Sequence, residues 1–444
     1  MTNLFLQIFV IICFLGVVII LFFEDQDYIY FTFIFIILAG IVTAIFLPEA
    51  RDLSFYVENI EWEVIFFLIT MFIIVEILKE NKVFDEIARR IVAKYHYNLK
   101  RMFYVICIVS TLMATIIEDL SIALIFAPII IVACRKLNIR SAAYLLGMTI
   151  CINIAATLTP FGSAQNILIA NEFGLDIMWF LINLGPYFVL SLALTLFFLD
   201  KFSLKKDLEY CSQNVCSEEE LADDSILTKP NIEKGKFRIN LICLGIFIIL
   251  LILIPELYLA GLIGALIFVL ANPVENDNGK KTISLSKYLS HVDYKLIYFF
   301  MCLFIFVGLL QINGTIMFIE QIIENISAES EFILAIIILI TTSVLSGLID
   351  NTPVVIIFIP ILRVLFSLPE FYLGPIVVAF VLGINLGGNF LPQGSAADMM
   401  TLEISRINKV RDLSYKRLFR VGSVYAMLHV ILGVFYIAVL VFIF

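Results

Sequence analysis

Charged residues are scarce in this sequence, because Asp, Glu, Lys and Arg together make up only 15% of its 444 residues. Apolar residues make up 62%, and many fall in runs of about twenty, the length that crosses ~30 Å of hydrocarbon as a helix. A soluble fold is therefore excluded, and the sequence predicts an all-α polytopic protein of the cytoplasmic membrane. The net charge of -9 says little, since membrane proteins distribute charge by side of the bilayer.

Other absences exclude whole classes of function. The sequence has no basic stretch of the kind that binds nucleic acid. It has no Gly-x-x-x-x-Gly-Lys-Ser/Thr loop, which disfavours ATP hydrolysis by this chain but leaves a separate ATPase subunit open. Of the eight Cys residues, six lie singly in apolar runs and Cys211 and Cys216 lack His partners, so neither a zinc site nor a thiolate site for arsenite is expected. No enzyme activity and no cofactor are predicted.

The hydrophobic pattern divides each half of the chain into the same six segments. We expect helices or helix pairs at 4–23, 28–47, 62–79, 102–134, 141–171, 179–200, 238–254, 257–273, 294–312, 332–368, 373–404 and 421–444. Segment 4–23 lacks the basic start and the cleavage site of a signal peptide, so it is predicted to be a retained helix. The predicted domains are a first membrane repeat (1–205), a cytoplasmic linker (206–236) and a second, inverted membrane repeat (237–444).

A single shift of 232 positions, from 118 to 350, places the polar motifs of one half on those of the other. Matching pairs include Glu118-Asp119 with Asp350-Asn351, Asn153 with Asn385, and Gly162-Ser163-Ala164 with Gly394-Ser395-Ala396. No insertion is needed between positions 61 and 166. Duplication with hydrophobic segments interrupted at matching places is typical of secondary transporters.

Basic residues predict the orientation in the membrane. If segments 24–27, 79–101, 135–140, 201–238, 274–295 and 405–420 are cytoplasmic, all but two of the 29 Lys and Arg residues lie on that side, the exceptions being Arg51 and Arg363. Each half then has five full crossings, an odd number, so the second half enters the membrane inverted. The sequence thus predicts ten full crossings and an inverted-topology repeat.

Two of the segments, 102–134 and 332–368, are interrupted by polar residues at their middle. Each arm is about sixteen residues, or ~24 Å of helix, which is short for a crossing but suits a re-entrant hairpin. Two short helices joined by an acidic surface turn are the alternative. A carboxylate at the bilayer midplane indicates a functional site, because irregular backbone at that depth is tolerated where it lines a cavity.

Segments 141–171 and 373–404 are interrupted by Pro, Gly and Ser. Proline removes a hydrogen-bond donor, glycine permits a sharp reversal, and serine caps the helix that restarts. Such a break exposes carbonyls that bind cations and amides that favour anions. A simple kink is the alternative for either break alone, but both breaks have Asn ahead and Ser behind in one register.

The predicted ion and substrate site combines the two polar tips with the two breaks. Its members are Glu118, Asp119, Ser121, Asn153, Thr157, Gly162, Ser163, Asn166, Asp350, Asn351, Thr352, Asn385, Gly387, Gly394, Ser395 and Asp398. Hard oxygen ligands suit an alkali cation, and Na⁺ is predicted at Asp119, Asn153, Asp350, Asn351 and Asn385. Buried carboxylates can exchange a proton for a cation, so Glu118, Asp119 and Asp350 are predicted to couple transport to H⁺ or Na⁺.

These motifs resemble those of the ion transporter superfamily, which includes arsenite permeases, NhaD-type sodium/proton antiporters, citrate-transporter-like permeases, the melanosomal P protein and divalent-anion/sodium symporters. The resemblance rests on Asp350-Asn351-Thr352, on Glu118-Asp119, and on the Asn-Leu-Gly-Gly stretch 385–388 followed by Gly394-Ser395-Ala396-Ala397. It implies opposed hairpins and unwound helices in a mobile transport domain, elevator-like movement, and a scaffold that forms a homodimer.

Departures from the superfamily pattern bear on the substrate. In the superfamily that this sequence resembles, dicarboxylate symporters carry Ser-Asn-Thr at both tips, and only Asn351-Thr352 matches that motif. The arsenite and antiporter branches carry Asp-Asn at the tips, which matches Asp350-Asn351 but not the first half. The sequence favours secondary active transport of a small ion coupled to Na⁺ or H⁺, as in arsenite permeases or Na⁺/H⁺ antiporters. The alternatives are a Na⁺-coupled di- or tricarboxylate or sulfate symporter and, from another class, an ion channel. An intramembrane aspartyl protease is disfavoured, because Gly347-Leu348-Ile349-Asp350 lacks the Gly-x-Gly-Asp spacing.

Overall fold

The computed structural model describes residues 4–20, 27–117, 119–213, 234–275, 281–315, 331–348, 351–367, 373–410 and 412–443. These residues are almost all helical, apart from a two-stranded antiparallel ribbon of β1 (Val274–Glu275) and β2 (Lys281–Thr282). Six of the described helices have at least 18 residues and are apolar enough to cross a membrane. The prediction of an all-α polytopic membrane protein is confirmed.

The helices of the first half follow the predicted segments closely. In order they are α1 (Leu4–Ile20), α2 (Tyr28–Phe46), α3 (Leu53–Glu58), α4 (Trp62–Glu80), α5 (Val83–Tyr95), α6 (Leu99–Ala114), α7 (Asp119–Lys136), α8 (Ala142–Ala155), α9 (Ala164–Glu172), α10 (Ile177–Leu199) and α11 (Lys205–Gln213). Side chains of Asn98, Ser163 and Asp176 accept backbone N–H groups at the starts of α6, α9 and α10. These caps satisfy amides that have no partner inside a helix.

The second half repeats this arrangement. Its helices are α12 (Lys234–Leu253), α13 (Leu257–Ala271), α14 (Leu285–Leu289), α15 (Tyr294–Ile312), α16 (Glu331–Leu348), α17 (Asn351–Ser367), α18 (Leu373–Gly387), α19 (Ala396–Ile407) and α20 (Tyr415–Ile443). The last helix begins at Tyr415 rather than at position 421, because Ser414 Oγ accepts the N–H of Arg417 at 3.2 Å. A polar first turn thus precedes the apolar run by which the segment was predicted.

The shift of 232 positions also relates the helix boundaries. Shifted in this way, α4 coincides with α15 at both ends, and the first residues of α3, α7 and α9 fall on those of α14, α17 and α19. Each interrupted span consists of two helices, with α8 ending at Ala155 before α9 and α18 ending at Gly387 before α19. The two halves therefore share their helix boundaries as well as their motifs.

Helices of the first half pack against helices of the second half. Helix α2 packs against α15 and α4 packs against α13, and the shift of 232 positions converts one of these contacts into the other. The contacts of α7 with α19 and of α9 with α17 are equivalent in the same way. We term α1, α2, α4, α12, α13 and α15 the scaffold group, and α6 to α10 with α16 to α20 the broken-helix group.

Ion pairs join segments that the orientation prediction places on the same side. Three of them link predicted cytoplasmic segments: Arg140 with Asp412 (2.8 Å), Arg417 with Asp207 (2.8 Å), and Lys287 with Glu80. A fourth joins Lys100 to Asp200, the last residue of the predicted segment 179–200, at 2.5 Å. On the predicted outer side, Arg363 of α17 pairs with Glu172 of α9. Each of these pairs joins segments that are far apart in the sequence.

Candidate functional site

The two breaks meet at one buried place, which we term the junction. Its residues share a polar side chain that is at most 7% exposed, and they are Thr149, Asn153, Ser163, Asn166, Asn385, Asn389, Ser395 and Asp398. Helices α8 and α18 end here, and α9 and α19 begin here. The predicted site residues of the two breaks thus lie together, although they come from opposite halves of the chain.

Asn153 of the first half bonds to three residues of the second. Its Nδ2 donates to Asn389 Oδ1 at 2.9 Å and to Asp398 Oδ1 at 3.4 Å. Its Oδ1 accepts a hydrogen bond from Ser395 Oγ at 2.8 Å. One amide therefore holds the end of α8 against both sides of the second break.

Asn385 makes the equivalent bonds in the opposite direction. Its Nδ2 donates to Asn166 Oδ1 at 2.9 Å, and its Oδ1 accepts from Ser163 Oγ at 3.4 Å. The same Nδ2 also donates to the carbonyl of Val381 at 2.9 Å. The junction is thus built from two copies of one hydrogen-bond pattern, each crossing from one half to the other.

The two copies differ in charge. Where the first half has Asn166, the second has Asp398, which accepts a hydrogen bond from Thr149 Oγ1 at 2.5 Å. The amide of Asn166 instead donates to the backbone carbonyls of Ala156 and Thr159, the latter at 3.0 Å. One copy of the pattern therefore carries a carboxylate and the other is neutral.

Asp398 is the one ionisable side chain of the junction. It is 1% exposed, and no Lys, Arg or His of the described part of the chain pairs with it. Its charged neighbour is another acid, Asp119, on α7, which packs against α19. A buried carboxylate without a basic partner is costly when charged, so this position favours a bound cation or proton.

The starts of α7 and α17, which follow the predicted hairpin tips, lie beside the junction. Asp119 begins α7 and accepts the N–H of Leu120 at 2.7 Å, and Ser121 is half-buried on the same helix. Asn351 begins α17, and the Ser346 hydroxyl is placed to donate its one hydrogen either to Asn351 Oδ1 or, at 2.5 Å, to the carbonyl of Ile384. The predicted residues Glu118 and Asp350 lie outside the described residues, as does the side chain of Thr352.

Three predicted glycines permit close approach of the hairpin arms. A Cβ at Gly394 would lie 2.8 Å from the carbonyl oxygen of Ser346, and a Cβ at Gly387 would overlap the backbone of Ser343. A Cβ at Gly162 would lie 3.1 Å from Thr159 Oγ1 and 3.4 Å from the carbonyl oxygen of Ala114, the residue equivalent to Ser346, so this position is less crowded than its counterpart. Thr157, in contrast, donates to the Ile154 carbonyl of its own helix at 2.8 Å.

Sequence reasoning missed three residues that belong here. Thr149 binds Asp398, Ser346 links a hairpin tip to the second break, and Asn389 accepts from Asn153. Asn389 Nδ2 is buried and has no hydrogen-bond partner among the described residues. Its position inside the Gly-rich second break was a usable signal, since an amide there must find partners or bind a ligand.

A cavity of about 110 Å³ lies between the two helix groups on the predicted outer side. It lies between α4 and α15 of the scaffold group and α9 and α17 of the broken-helix group, and no junction residue lines it. Burial raises the pKa of Glu61 at its rim, and Glu172 raises it further, while Arg363 and the Asn171 amide at 3.2 Å lower it. Within the described residues, no group of three or more His, Cys, Asp or Glu side chains is arranged to hold a metal ion.

Comparison with known proteins identifies the family. The model of the citrate transporter family, CitMHS, matches residues 17–284 and 257–444. The chain belongs to the citrate transporter family. This places it within the ion transporter superfamily that its motifs resemble, and that prediction is confirmed. A membrane transporter of this family is a multi-pass protein, in agreement with the apolar helices.

Relatives of this citrate transporter family member include proteins named as a membrane protein and as uncharacterized transporters. It is 28% identical to a 46 kDa membrane protein of Mycobacterium leprae over 83% of this chain and 84% of that protein. An uncharacterized transporter of Mycobacterium tuberculosis is 25% identical over 90% of this chain and 92% of its own length. The P protein of Mus musculus is 22% identical over 90% of this chain and 56% of its own length.

A solved structure shares the fold. The YdaH transporter of Alcanivorax borkumensis, described as having an unusual topology, superimposes with a TM-score of 0.63 over 87% of each chain. The two sequences are 10% identical, so the likeness concerns the fold alone. The citrate transporter family member therefore has the architecture of a polytopic membrane transporter.

Proposed function

We propose that this protein is a secondary carrier of a small carboxylate such as citrate, coupled to the movement of Na⁺ or H⁺. The observation that supports it most is the junction, where two broken helices from opposite halves meet around the buried carboxylate of Asp398. Paired broken helices near the midplane are where secondary carriers bind substrate and coupling ion. The family description, citrate transporter, supplies the substrate class.

The junction offers both kinds of group that such a carrier needs. The starts of α9 and α19 present backbone amides, and Asn389 Nδ2 is a buried donor without a partner. Donors of this kind match the oxygens of a carboxylate. The carboxylate of Asp398 suits the coupling cation, whose charge offsets that of the substrate.

The arrangement of the two helix groups supports alternating access. The broken-helix group contains the whole junction, and the outer cavity lies between it and the scaffold group. Movement of one group against the other would open the junction first to one side and then to the other. This is the elevator-like movement that the superfamily resemblance implies, and a homodimer formed through the scaffold group belongs to the same proposal.

Exchange of Na⁺ for H⁺ is a second candidate function. No junction residue is Lys, Arg or His, although a basic side chain commonly pairs with a carboxylate substrate. An acidic pocket of this composition is suited to cations. Both candidates use Asp398 for the cation and differ in whether an anion also binds.

Flux in proteoliposomes distinguishes the two candidates. Purified protein is reconstituted, and uptake of radiolabelled citrate and of ²²Na⁺ is measured with an inward H⁺ gradient, an inward Na⁺ gradient or neither. The proposal predicts that citrate accumulates above its external concentration with one of the gradients. Sodium uptake driven by an outward H⁺ gradient, with citrate flux no higher than in empty liposomes, would establish the second candidate instead.

Asn389→Ala tests the assignment of the substrate donor. Loss of the unpaired Nδ2 should raise the KM for citrate roughly tenfold, the effect of losing about 1.4 kcal/mol of binding energy, with a smaller change in kcat. Asn313→Ala is the matched control, because Asn313 Nδ2 is also buried and without a partner but lies at the end of α15. Equal KM values for Asn389→Ala and Asn313→Ala would remove Asn389 from the site.

A further inference from the structure

We propose that Asp398 and the carbonyls of Gly388 and Leu391 form a site for one hard monovalent cation, Na⁺, at the position where the first half has the amide group of Asn166. The proposal rests on cation coupling in the proposed function and specifies where the cation binds.

In the first half, Asn166 closes the break without an ion. Its Nδ2 donates to the carbonyls of Ala156 and Thr159, and its Oδ1 accepts from Asn385 Nδ2. The two N–H groups therefore satisfy two backbone oxygens that the broken helix leaves free. In this copy every polar group of the Asn166 side chain has a protein partner.

The second half has the same frame but no such donor. The shift of 232 positions maps Ala156, Thr159 and Asn166 onto Gly388, Leu391 and Asp398. The bond from Asn153 Nδ2 to Asp398 Oδ1 matches the bond from Asn385 Nδ2 to Asn166 Oδ1. Asp398 Oδ2 therefore takes the place of Asn166 Nδ2, and a carboxylate oxygen cannot donate to a carbonyl.

Three oxygens are thus left without the positive partner that the first half provides. Asp398 Oδ2 has no hydrogen bond within the described part of the chain, since Thr149 and Asn153 both bond to Oδ1. The Leu391 carbonyl accepts the N–H of Gly394 at 2.9 Å and keeps a second lone pair. One carboxylate and two carbonyls suit a hard cation, and a single charge matches the one acid among these three ligands.

A second difference between the halves supports the assignment. Thr149, whose hydroxyl donates to Asp398 Oδ1 at 2.5 Å, corresponds to Val381 in the second half. The carboxylate thus has an added donor on the side away from the proposed ion, while neutral Asn166 has an apolar residue in that place. The two positions differ together, as expected if Thr149 positions a charged Asp398 as a cation ligand.

Thermal unfolding in detergent, without any substrate, tests the site. The unfolding temperature is measured while NaCl replaces choline chloride at constant ionic strength and pH 8, and a cation that binds the folded state raises it in a saturable way. Wild type should show this rise, and K⁺ should be less effective than Na⁺. Asp398→Asn supplies the amide of the first half, so it should unfold at one temperature whatever the Na⁺ concentration.

Further variants keep the test decisive if Asp398→Asn fails to fold. Thr149→Val should raise the Na⁺ concentration for half-maximal stabilisation about tenfold, and Asn166→Asp with Val381→Thr should create a second saturable Na⁺ response. If acid stabilised the wild type and Na⁺ did not, the cation bound at Asp398 would be a proton, and the proposed Na⁺ site would be wrong. A Na⁺ response that survives unchanged in Asp398→Asn or Thr149→Val would also overturn the site. Because no citrate is present, these outcomes are independent of whether citrate is transported.

Discussion

At the scale of single residues, the junction depends on asparagines that bond across the two halves. Asn153 and Asn385 each use both the Nδ2 and the Oδ1 atom of the side-chain amide in these bonds. An amide suits this position because it donates and accepts at once and is neutral in the low-dielectric interior. Asp398 is the exception to this neutrality, and a buried charge of this kind in a membrane protein marks a functional position.

Asn153→Ala is expected to lower the rate of coupled uptake strongly. The change leaves Ser395, Asn389 and Asp398 without their common partner and should cost roughly 1–3 kcal/mol of stability. We expect the uptake rate to fall below about a tenth of wild type, since a loss of ~1.4 kcal/mol in binding is a factor of ten. Proteoliposome flux and the unfolding temperature in detergent are measured on the same preparation.

Asn240→Ala is the matched control for Asn153→Ala. Asn240 and Asn272 form a buried reciprocal amide pair between α12 and α13, with bonds of 3.0 and 2.9 Å, far from the junction in sequence and in helix group. This variant should lose a similar amount of stability and retain uptake. If both variants lost uptake in proportion to their stability, Asn153 would have only a structural role.

At the scale of helices, much was predictable from the sequence alone. Apolar runs located the segments, and Pro, Gly and Ser located both breaks, since these residues act through local backbone chemistry. Thr149 and Asn389 were not predicted as site residues, because their roles depend on partners about 240 positions away, Asp398 and Asn153. Sequence periodicity reports which face of a helix is buried but not which polar atoms meet across an interface.

Arg363→Gln is expected to loosen α17 from α9. Arg363 is 43% exposed and pairs with Glu172, so solvent screening limits the pair to about 1 kcal/mol or less. Arg363 also lowers the raised pKa of Glu61, so its removal shifts that pKa further upward. A raised carboxyl pKa gives stability that is present at acid pH and lost as pH rises through it, so the variant should be weakest at high pH. Hydrogen exchange over 164–172 should increase.

Arg406→Gln is the control for the loss of an arginine. Arg406 is 86% exposed and lies 4.0 Å from Glu403 on the same helix, a pair that should contribute nothing measurable. Exchange over 164–172 should equal that of wild type in this variant at every pH. An unchanged exchange rate in Arg363→Gln as well would show that the ion pair does not hold the two helices together.

At the scale of the whole molecule, the main organising feature is that helices of each half pack against helices of the other half. Each half contributes helices to both the scaffold group and the broken-helix group, and the helix contacts between halves described above fall into equivalent pairs when the halves are interchanged. A two-fold relation of this kind brings residues of both breaks to one place. It also predicts that equivalent loops of the two halves lie on opposite sides of the membrane, as the basic residues indicate.

Cysteine labelling at equivalent serines tests the inverted arrangement. Ser54 on α3 and Ser286 on α14 are exposed and related by the shift of 232 positions, and both helices start at equivalent caps, Asp52 and Ser284. In a background with Cys211 and Cys216 changed to Ser, the six remaining cysteines are buried and should not react. A membrane-impermeant maleimide should label Ser54→Cys in intact cells and Ser286→Cys only in inside-out vesicles, because the predicted odd number of crossings per half would reverse the orientation of the second half. Labelling of both variants from one face would mean that the two halves run parallel, and the junction could not then form from opposed breaks.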